Sequence, residues 1–182
     1  MIKADPKTDR LFLQEGGEFM TLPKLREETG RYCFMECPLG VLKIAEDGTG
    51  ITEISLVNEK EEDRLEDSRY LTQAKKELSE YFEGKRNRFD LPLSLHGTEF
   101  QKRVWQALCE IPYGETRSYQ QLAASIGNKK AQRAVGMANH ANKIAIVIPC
   151  HRVIQSNGSL GGYAYGVSCK KYLLNLERGQ SV

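Results

Sequence analysis

Two stretches in the second half of the chain, Thr98-Glu99-Phe100-Gln101 and Ser118-Tyr119-Gln120-Gln121, set a hydroxyl residue three positions before a glutamine. In that spacing the hydroxyl caps the third helical N–H while the glutamine reaches back, so each stretch predicts a helix start. The first helix carries an apolar stripe of Phe100, Val104, Ala107 and Leu108 and is stopped by Ile111-Pro112-Tyr113-Gly114. The second is short, runs through Leu122, Ala123 and Ile126, and stops at Gly127. A third follows at once, with Asn128 placed to cap it. Ala131, Ala134, Val135 and Ala138 give it a small apolar face, while Lys130, Arg133 and Met137 share another. Two short helices joined by a tight glycine-containing turn are the pattern of a helix-turn-helix, although any antiparallel helix pair shares it.

Before residue 93 the patterning is different. Arg31 to Cys37, Val41 to Ala45 and Ile51 to Val57 are β-prone runs separated by Pro38-Leu39-Gly40 and by Glu46-Asp47-Gly48-Thr49-Gly50, which predicts an antiparallel meander. Leu71, Ala74, Leu78, Tyr81 and Phe82 recur at helical spacing with Gly84 at the C-terminal end, so one amphipathic helix covers the sheet. Residues 89–97 read as an extended linker, and the first thirty residues as an irregular lead-in. The expectation is an α+β chain with an N-terminal α/β unit over 1–92 and a C-terminal unit over 93–182.

A length of 182 residues with 40% hydrophobic side chains suits one large or two small globular domains and excludes general disorder. No apolar run approaches the roughly 20 residues needed to span a bilayer. The opening MIKADPKTDR is charged, without the apolar core of a signal peptide, so a cytoplasmic protein with no membrane partner is expected. The net charge of +2 hides an asymmetry: residues 1–96 carry 15 basic and 20 acidic side chains, residues 97–182 carry 11 and 4. A basic half suggests that it meets a polyanion such as nucleic acid. Five cysteines, at 33, 37, 109, 150 and 169, include no CxxC pair and point to reduced thiols. Cys33, Cys37 and His96 would be three ligands for zinc, but a structural site wants four, and no metal is expected.

The chemistry-bearing segment is Ile144-Ala145-Ile146-Val147-Ile148, read as a buried strand, running into Pro149-Cys150-His151-Arg152-Val153. A thiol beside an imidazole is a candidate nucleophile, since the thiolate reacts and a base must populate it. Neighbours on a strand point to opposite sides, so Cys150 and His151 act together only if Pro149 imposes a turn. The residues alone also fit a core cysteine beside a satisfied histidine.

The wider context resembles the O6-alkylguanine-DNA alkyltransferases. The resemblance is carried by Ile148-Pro149-Cys150-His151-Arg152-Val153-Ile154, then Ser156-Asn157-Gly158-Ser159-Leu160-Gly161-Gly162-Tyr163, Lys170, Leu173-Leu174 and Glu177. Gly97-Thr98, Phe100-Gln101, Ile111-Pro112-Tyr113-Gly114, Ser118-Tyr119, Leu122-Ala123 and Arg133-Ala134-Val135-Gly136 belong to it as well. It implies an N-terminal domain of ribonuclease-H-like topology that supports a C-terminal winged helix-turn-helix domain. It implies double-stranded DNA carrying O6-alkylguanine as the partner, a monomer, no cofactor, and a target base flipped out of the duplex to reach the thiol.

By the same resemblance Cys150 takes the alkyl group, His151 removes its proton through a water, Glu177 orients His151, Tyr119 donates to the leaving base, and Asn142 ties the recognition helix to the active-site segment. The base pocket would use Val153, Tyr163, Ala164 and Lys170. DNA contacts would come from Gln101, Tyr119, Gln120, Asn128, Arg133 and Ser156, with Arg133 filling the gap left in the base stack. The chain departs from the family in Lys143, where proline is usual, and in Tyr165, where glycine is usual. The rival readings are a non-catalytic lesion sensor, a winged-helix regulator and a thiol hydrolase. Relatives that only sense lesions lack the reactive cysteine, which is present here as Cys150.

Overall fold

The computed structural model describes residues 2–4, 11–15, 18–21, 30–60 and 68–180. Met1–Gly30 and Arg31–Val182 are separate compact units. In the first, β1 (Ile2–Ala4), β2 (Leu11–Glu15) and β3 (Glu18–Thr21) pair antiparallel in that order. These strands replace the irregular lead-in expected from sequence. Runs of three to five residues are too short for their alternation to stand out among the charges.

The second unit begins with β4 (Arg31–Cys37), β5 (Gly40–Glu46) and β6 (Ile51–Val57), an antiparallel meander whose first hairpin closes with Cys37 opposite Gly40. Cys33, Leu42, Ile44, Ile51 and Ile54 are buried. The helix α1 (Arg69–Phe82), capped by Ser68, packs Leu71, Ala74, Leu78 and Tyr81 against this sheet. Gly84 ends it in the left-handed region at φ 71°, as its C-terminal position requires. The linker then runs beside β6: Ile51 N–H donates to Pro92 O at 2.8 Å and Ser94 N–H to Ile51 O at 2.9 Å.

The helical half comprises α2 (Glu99–Cys109), β7 (Arg117–Ser118), α3 (Tyr119–Ser125), α4 (Gln132–His140), a 3-10 turn (Cys150–Arg152), β8 (Val153–Ile154) and α5 (Val167–Glu177). Both capping boxes form as predicted. The short strands β7 and β8 pair in parallel, and Trp105 Nε1 on α2 donates to Ala138 O on α4 at 2.8 Å.

Asn128 does not cap α4, which starts after Ala131 without a side-chain cap. Its N–H instead donates to Ala123 O at 2.9 Å, and Gly127 N–H donates to Ala124 O at 3.0 Å. With Gly127 at φ 76° this closes the end of α3, so Asn128 finishes one helix rather than beginning the next. The expected strand 144–148 is also absent: Ile144 makes a single parallel bridge to Ile54, and the chain then turns through Ile146 at φ 72°. Ile144, Ala145, Ile146 and Ile148 are all buried, so their apolar run reports burial and not strand geometry. Among the described residues no helix is long and apolar enough to cross a membrane.

A Cβ on Gly50 would stand 2.6 Å from Pro92 O, a backbone atom that cannot swing away. Gly50→Ala is therefore expected to lower stability by about 1–3 kcal/mol, read as a lower urea midpoint with an unchanged slope.

Candidate active site

The turn at Ile146 is unfavourable for a β-branched residue and is held from both sides by one buried amide. Asn142 Nδ2 donates to Ile148 O at 2.9 Å, and its Oδ1 accepts from Ile144 N–H at 3.0 Å. Pro149 follows, and residues 150–152 wind into the 3-10 turn. The backbone therefore bends at Pro149 instead of continuing as a strand. Successive residues of such a turn fan outward, so Cys150 lines a cavity while His151 and Arg152 reach Glu177 on α5.

The cavity holds about 320 Å³. Cys150 shares it with Tyr119 from α3, Asn139 from α4, Asn142, and Tyr163, Ala164 and Tyr165 from the loop before α5. Burial raises the Cys150 thiol pKa above its ordinary value, against the lowering effect of the Asn142 amide and the Lys170 charge. The resting thiol is therefore protonated, and a base is needed to use it.

His151 is fully buried, and burial lowers its pKa against the opposing pull of Glu177. Its Nε2 lies 2.7 Å from Glu177 Oε1. A carboxylate only accepts, so Nε2 carries the hydrogen and Nδ1 keeps a lone pair. Nδ1 is buried with no hydrogen-bond partner among the described residues.

Glu177 also accepts from Tyr81 Oη at 2.8 Å, from Arg152 Nε and Nη2 at 2.8 and 2.9 Å, and from Gly114 N–H at 3.1 Å. Burial alone would raise its pKa; the bonds from His151 and Arg152 outweigh that and push it down to about 2. Lys170 is fully buried, and its Nζ donates to Val153 O at 2.6 Å, Leu160 O at 2.5 Å and Gly162 O at 3.4 Å. Its three donors thereby pin β8 to the loop that walls the cavity.

Cys150, His151, Glu177, Asn142, Tyr119, Val153, Tyr163, Ala164 and Lys170 thus converge on one region. Of the residues named for DNA contact, Tyr119 lines the cavity. Gln120, Asn128, Arg133 and Ser156 are exposed, and half-buried Gln101 has its Oε1 engaged by Thr98 N–H at 2.8 Å in the capping box. Sequence reasoning missed Arg152, Tyr81 and Asn139, whose Nδ2 donates to Cys150 O at 3.4 Å. Arg152 sits next to His151 and was the findable one; Tyr81 looks like any core residue of a helix stripe. Cys33, Cys37 and His96 form no ligand set, since among the described residues no group of three or more such side chains gathers.

A buried thiol next in sequence to a paired histidine, in a cavity walled by the helices of a helix-turn-helix, suits a DNA-binding transferase with a protein nucleophile. A family model described as 6-O-methylguanine DNA methyltransferase, DNA binding domain, matches residues 99–179, and one described as its ribonuclease-like domain matches residues 31–95. The chain belongs to this family. It is 48% identical over 151 residues to a methylated-DNA–protein-cysteine methyltransferase of Methanosarcina barkeri, covering 80% of this chain and 96% of the relative. The constitutive enzyme of that name from Bacillus subtilis is 49% identical over 156 residues, covering 81% and 94%. The Mycobacterium tuberculosis O6-methylguanine methyltransferase structure aligns with a TM-score of 0.74 at 42% identity, covering 84% of this chain and 95% of that one. The same organism's protein in complex with DNA aligns with a TM-score of 0.73 at 42% identity, covering 81% and 92%.

A carboxyl held at about 2, below its ordinary 4.5, contributes stability that is complete above about pH 4.5 and lost as pH falls toward 2. The wild-type protein is expected to lose up to about 3 kcal/mol across that window from this group. Glu177→Gln, already weaker at neutral pH because Arg152 loses its partner, is expected to show a much flatter acid limb in denaturant titrations at successive pH values.

Proposed function

We propose that the chain repairs DNA by direct reversal, moving an alkyl group from guanine O6, and also from thymine O4, onto Cys150. The observation that carries this is the Cys150 thiol, buried yet open to a cavity whose walls include Tyr119 of α3 and Asn139 of α4. A thiol at that depth cannot reach a stacked base, so the damaged nucleotide must leave the duplex and enter. Double-stranded DNA carrying O6-alkylguanine is the substrate, read by a cytoplasmic monomer whose residues 93–182 bind DNA and hold the thiol while residues 1–92 support them.

The thiol proton passes through a water to His151 Nδ1, the buried lone pair without a partner among the described residues. Sγ attacks the alkyl carbon; the carbon–sulfur bond forms as the carbon–O6 bond breaks, and the electron pair leaves with the base. The imidazolium formed is stabilised by Glu177. Burial raises the Tyr119 pKa, which keeps its hydroxyl protonated and able to donate to guanine N3 as charge develops there. The carbonyls of Cys150 and Val153 hold the exocyclic amine, and the N–H at Ala164 holds O6. Asn139 already donates to the Cys150 carbonyl, alongside Val153 N–H, and Lys170 donates to the Val153 carbonyl, which orients both. Arg133, exposed on α4, fills the vacated stack, while Gln101, Gln120, Asn128 and Ser156 lie along the phosphates. A thioether does not hydrolyse under cell conditions, so each molecule acts once, and the step balances without a cofactor.

Incubation with duplex DNA carrying one O6-methylguanine is expected to add a single methyl mass at Cys150 and then stop, with none added to Cys150→Ala, as read by peptide mass spectrometry. Lesion-selective binding without added mass would make the protein a sensor instead.

Tyr165 narrows the alkyl end of the pocket. Its ring lies edge-on to Tyr163 with centroids 5.6 Å apart, and burial pushes its hydroxyl up to about 12. Tyr165→Gly is expected to raise benzyl transfer relative to methyl transfer in single-turnover rates; an unchanged ratio would sink this role.

A further inference from the structure

The Glu177 carboxylate is more crowded than a partner for His151 needs to be. Three donors reach Oε1: His151 Nε2 at 2.7 Å, Tyr81 Oη at 2.8 Å and Arg152 Nη2 at 2.9 Å. One oxygen offers two lone pairs, so these donors compete for its charge. Arg152 is fixed by further bonds, Nε to Oε2 at 2.8 Å and Nη1 to Ile111 O at 2.6 Å. Tyr81 is the donor of the three that stays uncharged throughout, since His151 gains a charge when it takes a proton, and it comes from α1, within the ribonuclease-like segment. It is fully buried, and its ring packs against Phe89 and Tyr113 with centroids 5.4 and 6.1 Å away. The core therefore aims the hydroxyl.

We propose that Tyr81 is a positioning residue for alkyl transfer: by sharing Glu177 Oε1 with His151, its hydroxyl sets how strongly His151 holds a proton. This rests on the reading of His151 as the base. A donor on Oε1 draws charge from the oxygen that would stabilise the imidazolium, so Tyr81 keeps His151 a weaker base and free to receive the thiol proton at neutral pH. Burial and the neighbouring Glu177 push the Tyr81 pKa well above its ordinary value, so the hydroxyl remains a donor throughout the working range. The other groups facing His151 are Arg152 on its own turn and Lys170 on α5, both opposing protonation, with Cys150 beside it and Tyr113 packed over Arg152. Removing the Tyr81 hydroxyl changes none of them.

The test is Tyr81→Phe, which keeps the ring and its packing. Two quantities are read: the pH profile of single-turnover methyl transfer, and the NMR position of the His151 Nε2–H proton in the protein alone. The acid limb of transfer is expected to move to higher pH by about half a unit, because more of the imidazole is already protonated, and the Nε2–H resonance to move downfield as its bond to Oε1 strengthens. Tyr113→Phe removes a hydroxyl 3.5 Å from Leu176 O, off the carboxylate, and is expected to leave both quantities in place. An unmoved Nε2–H in Tyr81→Phe overturns the proposal, as do equal shifts in the two variants. A resonance that moves while the pH profile does not would preserve the coupling but remove His151 from the base role, and Tyr81 from the reaction with it.

Discussion

The buried carboxylate of Glu177 is the point on which the rest of the site depends. A charge at that depth costs several kcal/mol in lost hydration unless donors replace the water, and here they come from three places in the chain: α1, the turn at Gly114 and the 3-10 turn. Each donor also fixes something. Arg152 anchors the turn that presents Cys150, His151 gains a defined tautomer, and Gly114 joins the end of α2 to the end of α5. Satisfying one charge thus assembles the catalytic turn.

The same burial explains why the thiol is quiet at rest. Cys150 and His151 are both pushed toward their neutral forms, the first upward and the second downward, so the thiolate–imidazolium pair is disfavoured until something else changes. In the proposed reaction an entering base would bring the electrophilic carbon to the sulfur and exclude water, and proton transfer would then accompany attack. A nucleophile used once gains from such restraint, because a freely ionised thiol in its place would be open to oxidation.

Much of this was legible in the sequence. The capping boxes at Thr98 and Ser118 and the meander limits at Arg31, Cys37, Ile51 and Val57 reappear unchanged, because local hydrogen bonding and period-two patterning act over few residues. The run 144–148 misled because continuous apolarity signals depth, and a turn clamped by Asn142 can be as deep as a strand. Asn128 misled because its side-chain type suits a cap, whereas its backbone was already committed to ending α3. The partners of Glu177 show the limit most clearly. Arg152 lies 25 positions away and Tyr81 lies 96 away, and no periodicity within α1 distinguishes a tyrosine that donates from one that only packs.

The seam between the sheet and the helical half carries backbone bonds as well as side chains. Ile51 and Ser94 bond across it, and Ile54 exchanges bonds with Lys143 and Ala145, the residues that lead into the active-site turn. Two segments matched by separate family models are therefore not two units of stability. Pulling away the sheet together with α1 would strip backbone bonds from Lys143 and Ala145 and the Tyr81 donor from Glu177 in the same movement. Residues 31–180 should then melt in one cooperative step, and the sheet, which holds no reacting atom, acts as the template on which the reactive turn is folded.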